Sequence, residues 1–330
     1  MKLSILLSVY KQKNEIHNLL DSLSKQTSKN FEIILVINSP SAEELEILHF
    51  YKTSMMKKLK IIINDKRQIF FNDFYKMLSM AKGEYFVFVS AGAKIETNFV
   101  EMFIKYSTQF SVDLLEFRLS YKGYLDFDLR QRIEEKKILK ISENKNVLAY
   151  ILPVFFNKFF NRTKFIEIKN KIQITNPSNQ KIWIDLIYKI ILNLKNFVYI
   201  HHVLISEWNN KSIITNPNAL IKDWNNIENY VKNNNPEFIY EIQFNKIYTL
   251  ALFVPLLLSS QSHNKIKRLI FKTPIPISTM KYYENLKTIR INEFSINISI
   301  NKYFLENEWE TNIISKDLAP NKWQTLTRKL

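Results

Sequence analysis

The residues that could do chemistry in this chain of 330 residues are few and unevenly placed. Cysteine is absent, so a thiolate nucleophile, a thiolate metal site and disulfides are excluded. Ser90, Gly92 and Lys94 lie in a small-residue loop after the apolar run 84–89. A lysine ammonium at such a loop can neutralise an oxyanion without a metal. Asn38 closes the apolar run 31–37 and offers both a donor and an acceptor. His201 and His202 follow a later run, where imidazole serves as base or ligand. Carboxylates stand at Asp65, Asp73, Asp185 and Glu207. Asp126 and Asp128 form a spaced acidic pair, on an irregular segment where we read coincidence. Each group also has a bland reading. Lys94 is one of 47 Lys and Arg, most of them solvated, and a His pair at a strand end is more often structural.

These groups need elements to hold them. Apolar runs at 2–10, 31–37, 59–63 and 84–89 read as buried strands. Between them, 15–26, 42–52 and 69–81 read as helices, the first with Ile16, Leu19, Leu20 and Leu23 at helical spacing. Strand and helix alternate, which predicts a mostly parallel sheet with helices on both faces. Further helices are expected at 98–110 and 183–194, and strands at 113–121 and 197–206. The charge-rich piece 131–137 reads as helical and solvated. In such an α/β sheet, ligands bind beyond the carboxyl ends of the strands. That places Asn38 and the 90–94 loop at the site.

Three stretches resemble glycosyltransferase family 2 on the GT-A fold. The opening LSILLSVY (3–10), LLDSLSKQT (19–27) and FEIILV (31–36) are similar to the family's first strand, "LDSLLNQT" helix end and "FEIIVV" strand. AKGEYFVFV (81–89) is similar to "AKGEYIVFL", the strand that feeds its metal site. NKFF (157–160) looks like its "NKLF" turn, and 182–213 like its late helix and strand. The resemblance covers 1–215. It implies a GT-A-like domain there, with 216–330 as an α-rich annex whose tail, 274–330, mixes short strand-like and loop-like pieces. It implies a donor pocket at Val9, Tyr10, Asn38, Asn72, Ser90, Gly92 and Lys94, and an acceptor side at Trp183, Asp185, His201 and His202.

The chain departs from the family at each acidic position. The aspartate after the second strand maps to Asn38, the DxD pair to Ser90 and Gly92, and the late Glu-Asp pair to Ile182 and Trp183. The arginine of the family's "RN" maps to Phe71, beside a retained Asn72. The resemblance therefore implies no metal cofactor here, since the Mg or Mn site has lost its carboxylates. Two functions stay open. One is sugar transfer from a nucleotide-sugar to a cell-envelope glycan, glycolipid or glycoprotein. The other is an inactive partner or scaffold that binds a glycan, a nucleotide or an active transferase.

The net charge of +16 favours anionic partners, although Lys, Asn and Ile are enriched together as AT-rich coding would produce. No basic stretch is interleaved with aromatics, so nucleic acid is not expected. The opening run reads as a strand rather than a leader, and the absence of cysteine fits a cytoplasmic protein. The segment 244–272 joins the most apolar run to a basic one. It reads either as core or as a peripheral contact with the inner membrane face or a partner protein.

Overall fold

A computed structural model describes residues 1–122, 127–179, 182–208, 216–261 and 275–328. Asp126, the basic stretch 265–272 and the expected boundary near 215 lie outside the described residues.

The first ninety residues fold as the alternation predicts. Strands β1 (Leu3–Val9), β2 (Phe31–Asn38), β3 (Leu59–Asn64) and β4 (Tyr85–Phe88) run parallel in the order β3-β2-β1-β4. Helices α1 (Lys13–Ser24), α2 (Ala42–Met55) and α3 (Phe70–Met80) connect them. All eight residues of β2 are buried, as a strand covered on both faces requires. α1 buries Ile16, Leu19, Leu20 and Leu23, one stripe of a 3.6-residue period.

The register of β1 against β4 depends on a glycine. A Cβ on Gly83 would meet Ser4 N at 2.5 Å and Leu3 C at 2.7 Å, so only glycine admits this approach. Gly83 N donates to Ser4 Oγ (2.8 Å), whose hydroxyl donates to the buried Glu32 (2.8 Å). Lys60 completes the cluster at 2.7 Å from Glu32.

Beyond β4 the sheet is mixed. The remaining strands are β5 (Lys94–Ile95), β6 (Leu114–Phe117), β7 (Ser120–Lys122), β8 (Phe127–Asp128), β9 (Leu139–Lys140), β10 (Lys158–Asn161), β11 (Asn196–Ile200) and β12 (Ile205–Trp208). Eight strands form one sheet in the order β3-β2-β1-β4-β10-β6-β11-β9. The segment read as a turn, 157–160, is instead the antiparallel β10, inserted between β4 and β6. Its aromatic side chains suit a doubly covered strand, and Phe159 and Phe160 are fully buried. The strands expected at 113–121 and 197–206 each break in two. Their second halves, β7 and β12, form a separate small sheet, β5-β12-β7-β8. The piece at 131–137 is not helical; Glu135 bridges to Tyr199.

The helices on the sheet are α4 (Phe99–Phe110), α5 (Asn146–Tyr150), α6 (Arg162–Lys169) and α7 (Ile184–Leu192). The C-terminal part starts with α8 (Pro217–Asn234) and α9 (Ile239–Tyr248), then α10 (Val254–Gln261), reached through a π-helical turn at Thr249–Phe253. That turn ends two residues before Pro255, which cannot donate into a regular helix. The stretch Pro236–Ser259 is long and apolar enough to cross a membrane by length and composition, yet 94% of its apolar window is buried in the protein. Of the two readings of 244–272, the described apolar part packs as core. Leu250, Phe253, Leu256 and Leu257 are core. The tail expected as short strand-like pieces is helical where described, from Ile277–Ile289 onward. Burial of Tyr282, Leu286 and Ile289 on one stripe outweighs the local β-propensity of isoleucine.

Candidate functional site

The carboxyl ends of β1, β2 and β3 meet the first turn of α3 in a polar cleft of about 260 Å³. Ser8, Tyr10, Lys11, Gln12, Asn38 and Asp73 line it, with Arg67, Gln68 and Phe70 opposite. Asp73 is 1% exposed and sits at its centre. Its carboxylate accepts from Asn38 Nδ2 (2.6 Å), Asn64 Nδ2 (3.1 Å) and Ser8 Oγ (3.2 Å). Asn38 Oδ1 in turn accepts from Asn64 Nδ2 and from Gln68 N, both at 3.0 Å. Charge-assisted bonds of this kind fix the geometry of a carboxylate before any ligand arrives. The Arg67 guanidinium stacks over the Tyr10 ring at 4.6 Å and gives the cleft a flat, cationic wall. A second cleft of about 330 Å³ continues past Arg67, Gln68 and Phe70 to Pro177, Ser178 and Asn179.

The loop after β4 holds a second buried carboxylate. Ser90 Oγ donates to Glu207 Oε1 at 2.5 Å, although 117 residues separate them. β12 carries Glu207 to that place by pairing with β5, which puts Ser206 opposite Lys94. Glu207 is 1% exposed and faces Tyr121, whose hydroxyl is held far above its ordinary value by burial and by the Glu207 charge. The Lys94 ammonium is exposed and rests on the Trp208 ring at 4.0 Å. At Gly92 a Cβ would meet nothing within 4 Å, so this part of the loop faces open space.

The structure divides the candidates named from sequence. Tyr10 and Asn38 share the first cleft; Ser90, Gly92 and Lys94 form the neighbouring loop. Val9 is buried beneath them, and Asn72 points away, exposed on α3. The acceptor-side candidates sit as follows. Trp183 is fully buried, with Phe70, Phe74 and Phe155 each at 5.0 Å between ring centroids. An indole that large fills the core here. Asp185 is buried and engaged by Lys189 (2.8 Å) and Thr175 N (2.7 Å). Its charge, after burial, helps hold the Tyr75 hydroxyl up at about 12. His201 meets Tyr199 (3.3 Å), and His202 lies 3.8 Å from Glu96. Neither histidine lines the clefts. Sequence reasoning gave Asp73 and Glu207 little weight and passed over Ser8, Arg67 and Gln68. Only the position of Asp73 one turn into α3, facing the ends of the strands, signals its role.

Residues 4–172 match the sequence profile described as glycosyl transferase family 2. The chain belongs to glycosyl transferase family 2. No curated protein matches it. Among solved structures, S. aureus TarS 1-349 in complex with UDP-GlcNAc is similar at TM-score 0.61 and 15% identity, covering 99% of this chain and 91% of that one. The mannosyltransferase PcManGT from Pyrobaculum calidifontis, in complex with GDP-Man and Mn2+, is similar at TM-score 0.52 and 12% identity, covering 95% and 85%. At these identities the likeness is one of fold.

The family's divalent cation has a poor donor set in this chain. The resemblance maps its two loop carboxylates to Ser90 and Gly92, and among the described residues Glu207 is the carboxylate bonded to Ser90. Among the described residues no three His, Asp or Glu side chains cluster as ligands. A hard cation takes several oxygen ligands, so the residues present do not fit the family's site.

Proposed function

We propose that this family 2 member binds a nucleotide-sugar with its base in the cleft at Asn38 and Asp73. It transfers the sugar to a cell-envelope glycan, glycolipid or glycoprotein. One observation carries the reading. At two positions where the family has an acid, this chain has Asn38 and Ser90, and each is hydrogen-bonded to a buried carboxylate from another element. The acidic function has moved in sequence while staying in space. Asp73 supplies the acceptor a base N–H needs, Tyr10 and Arg67 supply a stacking wall, and the exposed Lys94 supplies charge for the diphosphate. No step is assigned to a metal.

A second reading is favoured by Trp183. Where the family keeps its base, this chain has a buried indole, which suits an inactive subunit that binds a nucleotide without turning it over. Calorimetry with UDP-, GDP- and CDP-sugars, with and without Mn²⁺, separates the two when paired with an assay for released nucleoside diphosphate. Binding with release supports transfer. Binding without release, across a panel of glycan acceptors, supports the inactive subunit. Absence of binding to all donors sinks both.

A further inference from the structure

We infer that the open edge of the main sheet at β3, together with the flank of α2 beside it, docks a second copy of this chain, strand to strand, in a twofold dimer.

β3 is an end strand of the eight and is hydrogen-bonded on one side to β2. Among the described residues no strand pairs with its other side, and no backbone bond outside the β2 ladder reaches 60–63. An open edge is a template for another strand, and soluble proteins blunt it with prolines, charges or a very short strand. β3 has six residues, no proline, and isoleucine at 61, 62 and 63. Its one charge, Lys60, is occupied by the buried Glu32 at 2.7 Å and by Met80 O at 3.0 Å. Ile63 is 54% exposed, and Met56, in the turn that leads into β3, is 72% exposed. α2 packs on β3, so it borders the same edge. One flank of α2 faces α1, where Glu43 meets Lys13 and Tyr51 meets His17. Leu45, His49 and Lys52 share the opposite flank, and Lys52 Nζ donates to Leu59 O at 2.6 Å, which sets that flank at the β3 edge. Leu45 and His49 on it are exposed.

Charge selects the occupant. α2 carries Glu43, Glu44 and Glu46 in its first half, while Lys52 and, in the following turn, Lys57 and Lys58 stand at its other end. A copy of α2 running antiparallel sets its basic end against this acidic end on both sides of the axis, and the two helix dipoles are opposed as well. Glu46 and Lys57 are exposed and make no ion pair among the described residues, so both are free to meet a partner. Lengths agree too. α2 spans about 21 Å at ~1.5 Å per residue and β3 about 20 Å at ~3.3 Å per residue, and a three-residue turn joins them. Their midpoints therefore stand at one height. A single twofold axis normal to the sheet then places β3 antiparallel to its copy and α2 antiparallel to its copy at once, joining two eight-stranded sheets into one.

The test is sedimentation velocity on the full chain from about 1 to 100 µM, a range over which mass action populates a dimer of modest affinity. A dimer is expected. Ile63→Lys should raise its dissociation constant about tenfold or more, by setting a charge against the apolar edge, and Glu46→Lys should raise it severalfold, by facing like charge with like. Both change exposed residues, so thermal unfolding of the chain should stay where it is. Glu237→Lys adds the same charge on an exposed residue away from this edge and should leave association unchanged. The chain has no cysteine, so a single introduced thiol reports the register. Ile61→Cys or Ile62→Cys, whichever lies on the axis, should bridge to its own copy on oxidation, and Glu237→Cys should not. A chain that stays monomeric throughout overturns the proposal, as does a dimer indifferent to both edge variants or bridged by neither β3 cysteine. A dimer weakened equally by Glu46→Lys and Glu237→Lys reports net charge alone and overturns it as well.

Discussion

At the scale of single residues, two substitutions probe the argument directly. Asp73→Asn removes the acceptor shared by Ser8, Asn38 and Asn64. It should lower stability by about 1–3 kcal/mol through unmet donors. It should also weaken nucleotide-sugar binding about tenfold, the loss expected for one strong hydrogen bond to the base. Moving the acid back, in the double variant Asn38→Asp with Asp73→Asn, should restore much of that affinity. If the exchange restores nothing, the carboxylate is not what the nucleotide meets. Gly83→Ala tests the register of β1 against β4. The new Cβ would press on backbone atoms of Ser4 and Leu3, which cannot yield as a flexible side chain would. A loss of about 1–3 kcal/mol in denaturant unfolding is expected, the usual cost of overpacking.

At the scale of elements, α8 and α9 are joined by a charged pair that should show in the pH dependence of stability. Burial works to raise the Glu228 carboxyl. Hydrogen bonds from Lys232 and Lys246, the Lys246 charge and a bond from Gln243 outweigh it and hold the group down at about 2. Lys246 is itself buried and also meets Glu293 at 2.6 Å. A carboxyl lowered on folding stabilises the fold above its unfolded value near 4.5, and that contribution fades as the pH falls toward 2. The shift corresponds to something on the order of 3 kcal/mol. Glu228→Gln should therefore lower the urea midpoint at pH 7, and the gap from wild type should close as the pH falls below 4. A gap that persists unchanged at pH 2.5 would assign the effect to packing instead. β12 is the other element that matters here, because its pairing with β5 is what delivers Glu207 to Ser90.

At the scale of the molecule, the C-terminal helices complete the core of the sheet domain. Asn245 Nδ2 donates to Leu148 O and Ile151 O, Tyr188 meets Trp224 at 4.8 Å, and Asn307 bonds the Tyr150 hydroxyl. We propose that 1–215 and 216–330 are successive parts of one folding unit, despite the change in composition between them. A chain ending at 215 would leave buried surface of α5 and α7 exposed to water. It should be recovered mainly as aggregate, or bind a hydrophobic dye where the full chain does not. A soluble, cooperatively unfolding 1–215 fragment would show that the helices are an independent annex.

The local alternation of apolar runs and helical stripes was enough to determine the parallel half of the sheet, from β1 to β4. The order and spacing of short motifs indicated the family, because those signals are carried by neighbours in the chain. Asn38 and Ser90 were recognisable as departures from the pattern for the same reason. Only the tertiary structure decided which carboxylates stand beside these two positions. Asp73 lies 35 residues from Asn38, and Glu207 lies 117 from Ser90. No periodicity links residues so far apart; strand pairing and helix docking do. The same holds for Trp183, whose place in the core was set by Phe70, Phe74 and Phe155 closing around it, and for Arg132, read as solvated until Tyr150 and Tyr248 enclosed it. Burial is a property of the packed chain, so a residue's type and neighbours in sequence could not fix it.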